Sequence, residues 1–514
     1  MTLRAAPFAR KVASAIGTGS LGRPLRVDIC WGELPGRAPA GGALATLGAE
    51  SLELVEFWLG PLTLDAVRHD GLGGPDSEAE ILFSAAEASG RIEVSRLRQL
   101  DNAIVVAGDR DRITAAIPAR RAAPAPSSTS ADLLAGVTAQ RLRHPWELED
   151  ARHFPALAGR RVLVNGATGF IGARLVERLA EEGAVVTAAA RDLRRAARIA
   201  RCGVALVAAG KDPAALVAGQ NCVINLAYDL SSPAEANAAA AEKLAEAALA
   251  ARVSRFVHAS SIAVYDGWPG EDLTEESPSD GPGHEYKVWK RATEVALERL
   301  AEGSRMGVAL LQFTNVYGPF SRLWTDEFAE RLQAGSVAVP DESLCNGVYV
   351  DDAVDALLAA SLADAASGRF IVTGPAPFRW RDLLDGYAAA CGGTVVSEPM
   401  PKLSGAAPAP RKAGLRALIG DPMRIAQAPV IRPMIDHIRK RIGEERLLML
   451  RRRAMRWMAG GKPTLYRPAA ASPKLFAARA TAHGDRAARE LIAPSIGLDR
   501  ALGAIGDYLR WRYR

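Results

Sequence analysis

One stretch of twelve residues constrains this chain more than any other: Arg161-Val-Leu-Val-Asn165 running into Gly166-Ala-Thr-Gly169-Phe-Ile-Gly172. The apolar run predicts a buried strand. The glycines predict a tight turn, and ARLVERLAEEG (173–183), apolar at helical spacing with a Gly stop, predicts a helix. The alternation then repeats. AVVTAAAR (184–191), CVINLAY (222–228) and RFVHASS (255–261) read as strands, and AEANAAAAEKLAEAALAARV (234–253) as a long Ala-rich helix. Strands alternating with helices imply parallel βαβ units covered on both faces, an α/β class of fold.

Each glycine of the turn has a physical task. One makes the tight turn, one lets backbone approach a pyrophosphate, and one lets helix and strand pack closely. Backbone N–H groups at the helix N-terminus then face the phosphates. The Gly-x-x-Gly-x-x-Gly spacing differs from the Gly-x-Gly-x-x-Gly of many dinucleotide folds, and an incidental glycine-rich loop is the other reading. At the end of the second strand, an acidic residue would bond a ribose 2′-hydroxyl and a basic one would suit a 2′-phosphate. Here Arg191 ends the strand, followed by Asp192, Arg194 and Arg195. Arg191 tilts the cofactor toward NADP(H); a solvated basic helix start is the alternative.

Tyr286 and Lys290 are four residues apart at the start of a predicted helix, hence on one face. A free phenol titrates near pH 10, and a neighbouring ammonium favours its phenolate. Such a pair can exchange a proton with an alcohol or carbonyl while a nicotinamide exchanges hydride. Ser260 and Ser261 end a predicted parallel strand, where ligands of open α/β sheets bind. A hydroxyl there can polarise a substrate carbonyl, although strand-end capping is the simpler role.

These elements resemble the extended short-chain dehydrogenases/reductases, the NAD-dependent epimerase/dehydratase group. The matches run in family order: NGATGFIG (165–172), INLA (224–227), SSIAVYDG (260–267), YKVWK with Glu294 following, NVYGP (315–319) and VYVDDAVDA (348–356). The resemblance covers about 160–380 and resumes at 488–513, which looks like the family's terminal helix. It implies a Rossmann-type sheet, a small C-terminal substrate lobe and a bound NAD or NADP. By position it implies catalytic roles for Ser261, Tyr286 and Lys290, with Ser260 and Asn315 contacting substrate. The cofactor positions it implies are Gly166, Thr168, Gly169, Phe170, Ile171, Gly172, Arg191, Leu226 and Ala227, together with Tyr286 and Lys290. Ile262 and Ala263 stand where the family's dehydratases carry Asp-Glu, so sugar 4,6-dehydration is not expected. Gln312 replaces an Arg common before the Asn, and Ala209 stands near a customary adenine-contacting Asp.

Other residues support no competing chemistry. His258 lies on the strand before Ser260 and reads as packing, whereas His284 precedes Tyr286 and could reach the cleft. Asp351-Asp352 reads as a helix N-cap. No His/Cys/Asp cluster has metal-ligand spacing, and no Gly-x-Ser-x-Gly suggests a hydrolase. Cys30, Cys202, Cys222, Cys345 and Cys391 are odd in number and never form Cys-x-x-Cys, which points to reduced thiols in a cytoplasmic protein. Hydrophobic residues at 49% and charged residues at 24% are ordinary for a globular chain and exclude a disordered one.

The expected organisation is an N-terminal α+β domain (1–117), a linker (118–150), the NAD(P)-binding domain (151–380) and the substrate lobe (381–514). In the first domain 81–88, 91–97 and 102–108 read as strands, and 52–67 fits helix or strand equally. The net charge of +6 conceals an asymmetry: residues 401–480 hold 18 Lys and Arg against 4 Asp and Glu. Within this insertion, 431–461 mixes Ile, Leu, Met and Trp457 with Arg at helical spacing. It reads as a helical hairpin packed on the protein itself, as an interfacial helix on an anionic membrane, or as a lid over a phosphate-bearing substrate. No nucleic-acid reader motif accompanies it.

The expected function is NAD(P)-dependent hydride transfer at a secondary alcohol or ketone, most simply of a nucleotide sugar, with epimerisation where the cofactor stays bound. One alternative is an NADPH-dependent reductase of a hydrophobic, steroid-like or lipid ketone docked at a membrane surface. The other is a non-catalytic dinucleotide-binding module. A homodimer is the oligomer the family suggests.

Overall fold

A computed structural model describes residues 3–33, 42–98, 100–117, 128–193, 196–210, 212–229, 232–362, 366–401 and 464–513. The basic insertion at 431–461, the first part of the expected linker, and Arg194 and Arg195 lie outside the described residues. Among the described residues, no helix is long and apolar enough to cross a membrane.

The chain divides into two compact units: residues up to His144 with Asp192–Leu206, and Pro145–Arg191 with Val207–Tyr513. In the first, β1 (Pro24–Gly32), β2 (Thr63–His69), β3 (Glu78–Ala85), β4 (Ala88–Ser95), β5 (Ala103–Gly108), β6 (Arg112–Ala116) and β7 (Gln140–Arg141) form one mixed sheet in the order β6-β5-β1-β4-β3-β2-β7. Its core joins Ile29, Trp31, Ile81, Phe83, Ile92 and Val94 to Leu52 and Val55 of the helix Ala49–Leu59. The ambiguous stretch 52–67 is both structures in succession. The helix ends at Leu59, Gly60 takes φ +80°, Pro61 follows, and β2 begins at Thr63. The expected strand 81–88 is the end of β3, a turn, and the first residue of β4. β1 escaped sequence reading, although Val27, Ile29 and Trp31 alternate with polar or small neighbours as a half-buried strand requires. Part of the expected linker is ordered here as the helix Ser128–Ala135 and β7, which pairs with β2.

The second unit is built on β8 (Arg161–Asn165), β9 (Val185–Ala190), β11 (Cys222–Asn225), β12 (Arg255–Ser261) and β13 (Gly307–Phe313), and β10 (Ala205–Ala208) extends their sheet beside β9. The order is β10-β9-β8-β11-β12-β13, with Gly368–Val372 at the far edge. The pairings β9-β8-β11-β12-β13 and on to Gly368–Val372 are all parallel. Strand order reverses between β8 and β11, which opens a crevice at their carboxyl ends. The small lobe begins earlier than expected: Gly335–Pro340 pairs with Thr394–Glu398 and Thr464–Tyr466 in a three-stranded parallel sheet. Its helix Trp380–Cys391 packs on the terminal helix Leu498–Tyr513, and a Cβ on Gly386 would fall 2.5 Å from Leu502 Cδ2.

Asp351 and Asp352 do not cap their helix, Val350–Leu362. Arg174, on the helix Phe170–Glu181 that opens at the glycine turn, holds both oxygens of Asp351 at 2.6 and 3.0 Å. One turn on, Arg178 reaches Asp355 at 3.0 Å. All four side chains are buried. Asp352 accepts the N–H groups of Ser495 and Ile496, both at 2.9 Å. The Cβ directions of two adjacent helical residues differ by about 100°, so the neighbouring aspartates face different elements.

Removing one member of a buried pair leaves the other charge without compensation. Asp351→Ala is therefore expected to cost the second unit about 3–5 kcal/mol, read as a lower urea midpoint; a loss below about 1 kcal/mol would contradict this account of the pair.

Candidate active site

The strand–turn–helix performs its expected geometry. Gly166 takes φ +89°, and a Cβ there would lie 2.9 Å from the Ala227 nitrogen. This lets the turn press against Leu226 and Ala227, just beyond β11. A Cβ on Gly172 would come within 2.3 Å of the Gly166 carbonyl, so helix and turn meet only through a glycine. Gly169 is the N-cap, in extended backbone, and no side chain caps the helix. Thr168, Phe170 and Ile171 are half-buried around it and Gly169 is exposed. Free amide donors, the positive end of a helix and a surface kept clear of Cβ atoms fit a pyrophosphate.

Below the turn, Asn165 Nδ2 donates to Asn225 Oδ1 at 3.0 Å, and Asn225 Nδ2 lies 3.2 Å from His258 Nδ1. Burial, and after it the charge of Lys290, drives His258 well below the usual imidazole range. His258 is thus a neutral packing residue, as its place on β12 suggests. Arg191 directly follows β9 and pairs with Asp229 at 2.6 Å, its side chain 65% exposed.

The helix Glu285–Ala301 carries the titratable cluster. His284 is its N-cap: Nδ1 accepts the Tyr286 N–H at 3.2 Å, which stabilises the helix start. Tyr286 is half-buried, and the Ser261 hydroxyl lies near enough to its phenol to lower its pKa. Ser261 ends β12 and also accepts the N–H of Ala263 at 3.2 Å. Lys290 Nζ donates to the Ala259 carbonyl at 2.6 Å and stands 4.0 Å over the Trp289 ring and 5.8 Å from the Tyr286 centroid. The structure therefore brings Ser261, Tyr286 and Lys290 together at the carboxyl end of β12.

The electrostatics differ from the sequence expectation. Burial, with a smaller push from Tyr228, takes Tyr286 up to about 12, and the neighbouring Ser261 hydroxyl opposes it. Burial takes Lys290 down to about 7, and the Glu294 charge opposes that. Lys290 is not what sets the phenol in this state. Desolvation disfavours both charged forms and outweighs their mutual attraction.

Ser260 is not beside Ser261 in space. Successive strand residues face opposite sides, and Ser260 is buried with its hydroxyl donating to Glu294 Oε1 at 2.5 Å. It supports the site from behind instead of facing substrate. Asn315 opens a short strand, Asn315–Tyr317. Its amide lies 3.7 Å from Cys345 Sγ and its N–H donates to the Asn346 carbonyl. Sequence reading passed over two aromatic neighbours. Tyr228 meets Tyr286 edge-on at 5.6 Å and Trp289 at 4.4 Å between ring centroids. Trp289 lies inside YKVWK and Tyr228 directly after INLA, so both were adjacent to motifs already in view.

The model of the NAD dependent epimerase/dehydratase family matches residues 162–374. A 3-diazoavenalumate denitrifying reductase from a Streptomyces species is 34% identical over 275 residues, 49% of this chain and 87% of that one. The UDP-glucose 4-epimerase of Mycolicibacterium smegmatis is 30% identical over 266 residues, 45% of this chain and 83% of that one. Among solved structures, a UDP-glucuronic acid 4-epimerase from Bacillus cereus in complex with NAD aligns with a TM-score of 0.48 at 16% identity, covering 69% of this chain and 97% of its own.

A buried lysine drawn down to about 7 has an unfolded reference near 10.5. The folded state then binds fewer protons, so the destabilisation is fully present below about pH 7 and disappears as pH rises past the unfolded value. The difference in Tm between Lys290→Met and the parent protein is expected to become more positive from pH 9 to pH 6. A difference independent of pH would mean that Lys290 is not desolvated.

Proposed function

Because the chain belongs to the NAD dependent epimerase/dehydratase family, and is an NAD-dependent enzyme of the extended short-chain dehydrogenase type, we propose that it interconverts a secondary alcohol and a ketone on a nucleotide sugar. The observation that carries this reading is the meeting of Ser261, Tyr286 and Lys290 beyond the carboxyl end of β12, beside a turn built for a pyrophosphate. The relative from Mycolicibacterium, a UDP-glucose 4-epimerase, supports the substrate class.

A nicotinamide dinucleotide bound at this crevice supplies the hydride acceptor or donor. Gly166, Thr168, Gly169, Phe170, Ile171 and Gly172 would hold its phosphates, with Leu226 and Ala227 as the facing wall. The Tyr286 oxygen takes the proton from the substrate hydroxyl, or returns it to the carbonyl oxygen. The Ser261 hydroxyl bonds the same substrate oxygen and orients it. It also donates to the phenolate, the form that burial disfavours. Lys290 places an ammonium beside the pair and would hold the ribose of the bound dinucleotide.

NAD is the dinucleotide this reading assigns. Arg191, the residue that would favour a 2′-phosphate, is already neutralised by Asp229. A 2′-phosphate would have to displace that carboxylate and would be repelled by it.

A second reading, reduction of a hydrophobic ketone with exchanging NADPH, draws on the aromatic wall of Tyr228, Tyr286 and Trp289 and on the Streptomyces relative, a reductase. The membrane-docked form of that reading depends on 431–461, outside the described residues.

The two readings separate on the purified protein. Retained NAD(H), identified by mass spectrometry of the released nucleotide, together with interconversion of UDP-glucose and UDP-galactose, supports the first. An empty site and NADPH consumption with a ketone panel support the second. In either case Tyr286→Phe should lower kcat at least about 100-fold with cofactor binding kept, and full activity in that variant would refute the assignment. Asp229→Asn is expected to raise affinity for NADP⁺ relative to NAD⁺ by about 2- to 5-fold, the scale of one exposed ion pair. An unchanged ratio would place selectivity elsewhere.

A further inference from the structure

Tyr286, Lys290 and Glu294 recur every fourth residue and so share one face of the helix Glu285–Ala301. Each meets one of three consecutive residues at the end of β12. Tyr286 faces Ser261, whose hydroxyl lowers its pKa, Lys290 donates to the Ala259 carbonyl, and Glu294 accepts from the Ser260 hydroxyl. The first two contacts belong to the site described above. The third lies behind it.

Glu294 is fully buried. Its Oε1 accepts from Ser260 at 2.5 Å and from Gln312 Nε2 at 2.9 Å, and Gln312 Oε1 in turn accepts from the Tyr265 hydroxyl at 2.5 Å. Its Oε2 has no hydrogen-bond partner among the described residues. The cations near that oxygen are Arg291 on the same helix at 3.7 Å and Arg369 from the edge strand at 3.8 Å, and Arg369 is engaged more closely with Glu298 at 2.7 Å. On the other side stand Lys290, one turn away, and the neutral His258 ring, which faces Lys290 from β12. A buried carboxylate with one oxygen unbonded is costly to keep. An apolar side chain would fill the same space without that cost, so the charge itself requires a reason.

We infer that Glu294 is a positioning residue for the proposed reaction: it locks the helix against the strand end that carries Ser261, and its negative charge keeps Lys290 an ammonium in a setting that otherwise strips its proton. The register follows from the three contacts. The charge effect has the right sign, because the carboxylate is the one group that opposes burial at Lys290. Burial also raises Glu294 itself, and the Ser260 and Gln312 hydrogen bonds and the two arginines hold it down. Ser260 and Gln312 therefore act on Lys290 through Glu294.

The inference rests on the role given to Lys290, but its test does not require activity. Competitive labelling of the full-length protein with acetic anhydride across a pH series, with the Lys290 peptide quantified by mass spectrometry, reads the titration midpoint of that amine. In Glu294→Gln, which keeps the shape of the side chain and removes its charge, the midpoint is expected to fall by about one pH unit or more. An unchanged midpoint would overturn the proposal. Should that variant fail to fold, Ser260→Ala serves. It removes a donor that holds the carboxyl ionised, so Glu294 takes up its proton nearer neutrality and the Lys290 midpoint again falls; an unchanged labelling curve there overturns the proposal equally. With activity in hand, the alkaline limb of the kcat profile should move to lower pH in step with the labelling midpoint.

Discussion

Asp351 and Asp352 are the junction on which the second unit depends. Asp351 takes the guanidinium of Arg174 in a two-point grip and so fixes the helix whose N-terminus forms the glycine turn. Asp352 takes two backbone N–H groups at Ser495 and Ile496 and so fixes the segment leading into the terminal helix. That helix packs on the lobe helix Trp380–Cys391. Two adjacent carboxylates thereby tie the dinucleotide turn and the lobe to one short helix. The pairing is worth little as net stability, because desolvation consumes most of the Coulomb gain. Its value is directional: only one placement of the helix Phe170–Glu181 satisfies every buried charge.

The site shows the same physics turned to chemistry. Tyr286 and Lys290 are displaced in opposite directions, the phenol upward and the amine downward, each toward its neutral form. A single cause, loss of water, explains both. A setting that disfavours charge makes each fixed dipole and each remaining charge count for more. The Ser261 hydroxyl and the Glu294 carboxylate oppose the desolvation at Tyr286 and Lys290 respectively, and His258 stays out of the balance because it is neutral. The titration of Tyr286 and Lys290 thus depends on burial and on a few short-range contacts at one helix and one strand end.

The glycine turn was readable because three glycines at that spacing have few other uses, and the strand–turn–helix pattern around them is local. The Tyr286–Lys290 pair was readable because helical periodicity alone places them on one face. Ser260 was misread as a substrate contact for an equally local reason: neighbours in sequence were treated as neighbours in space, whereas a strand turns them to opposite sides. Asp351 and Asp352 were misread as caps because their partners lie 177 and 143 residues away, and no local pattern marks such pairs. Arg191 was identified as a cofactor-selecting residue, but its partner Asp229 emerges from a different strand. The stretch 52–67 resisted assignment because Gly60 and Pro61 divide it into a helix and a strand that are both apolar.

The sequence by itself determined the α/β class, the glycine turn and the candidate residues for proton exchange, because each is written in spacing along one element. Tertiary structure alone decided how those residues are charged, which serine faces the cleft, what holds Arg191, and why a glutamate is buried beneath Lys290. Those properties depend on water exclusion and on partners from distant segments. Desolvation and long-range pairing are functions of three-dimensional neighbourhood, and periodicity carries no record of either.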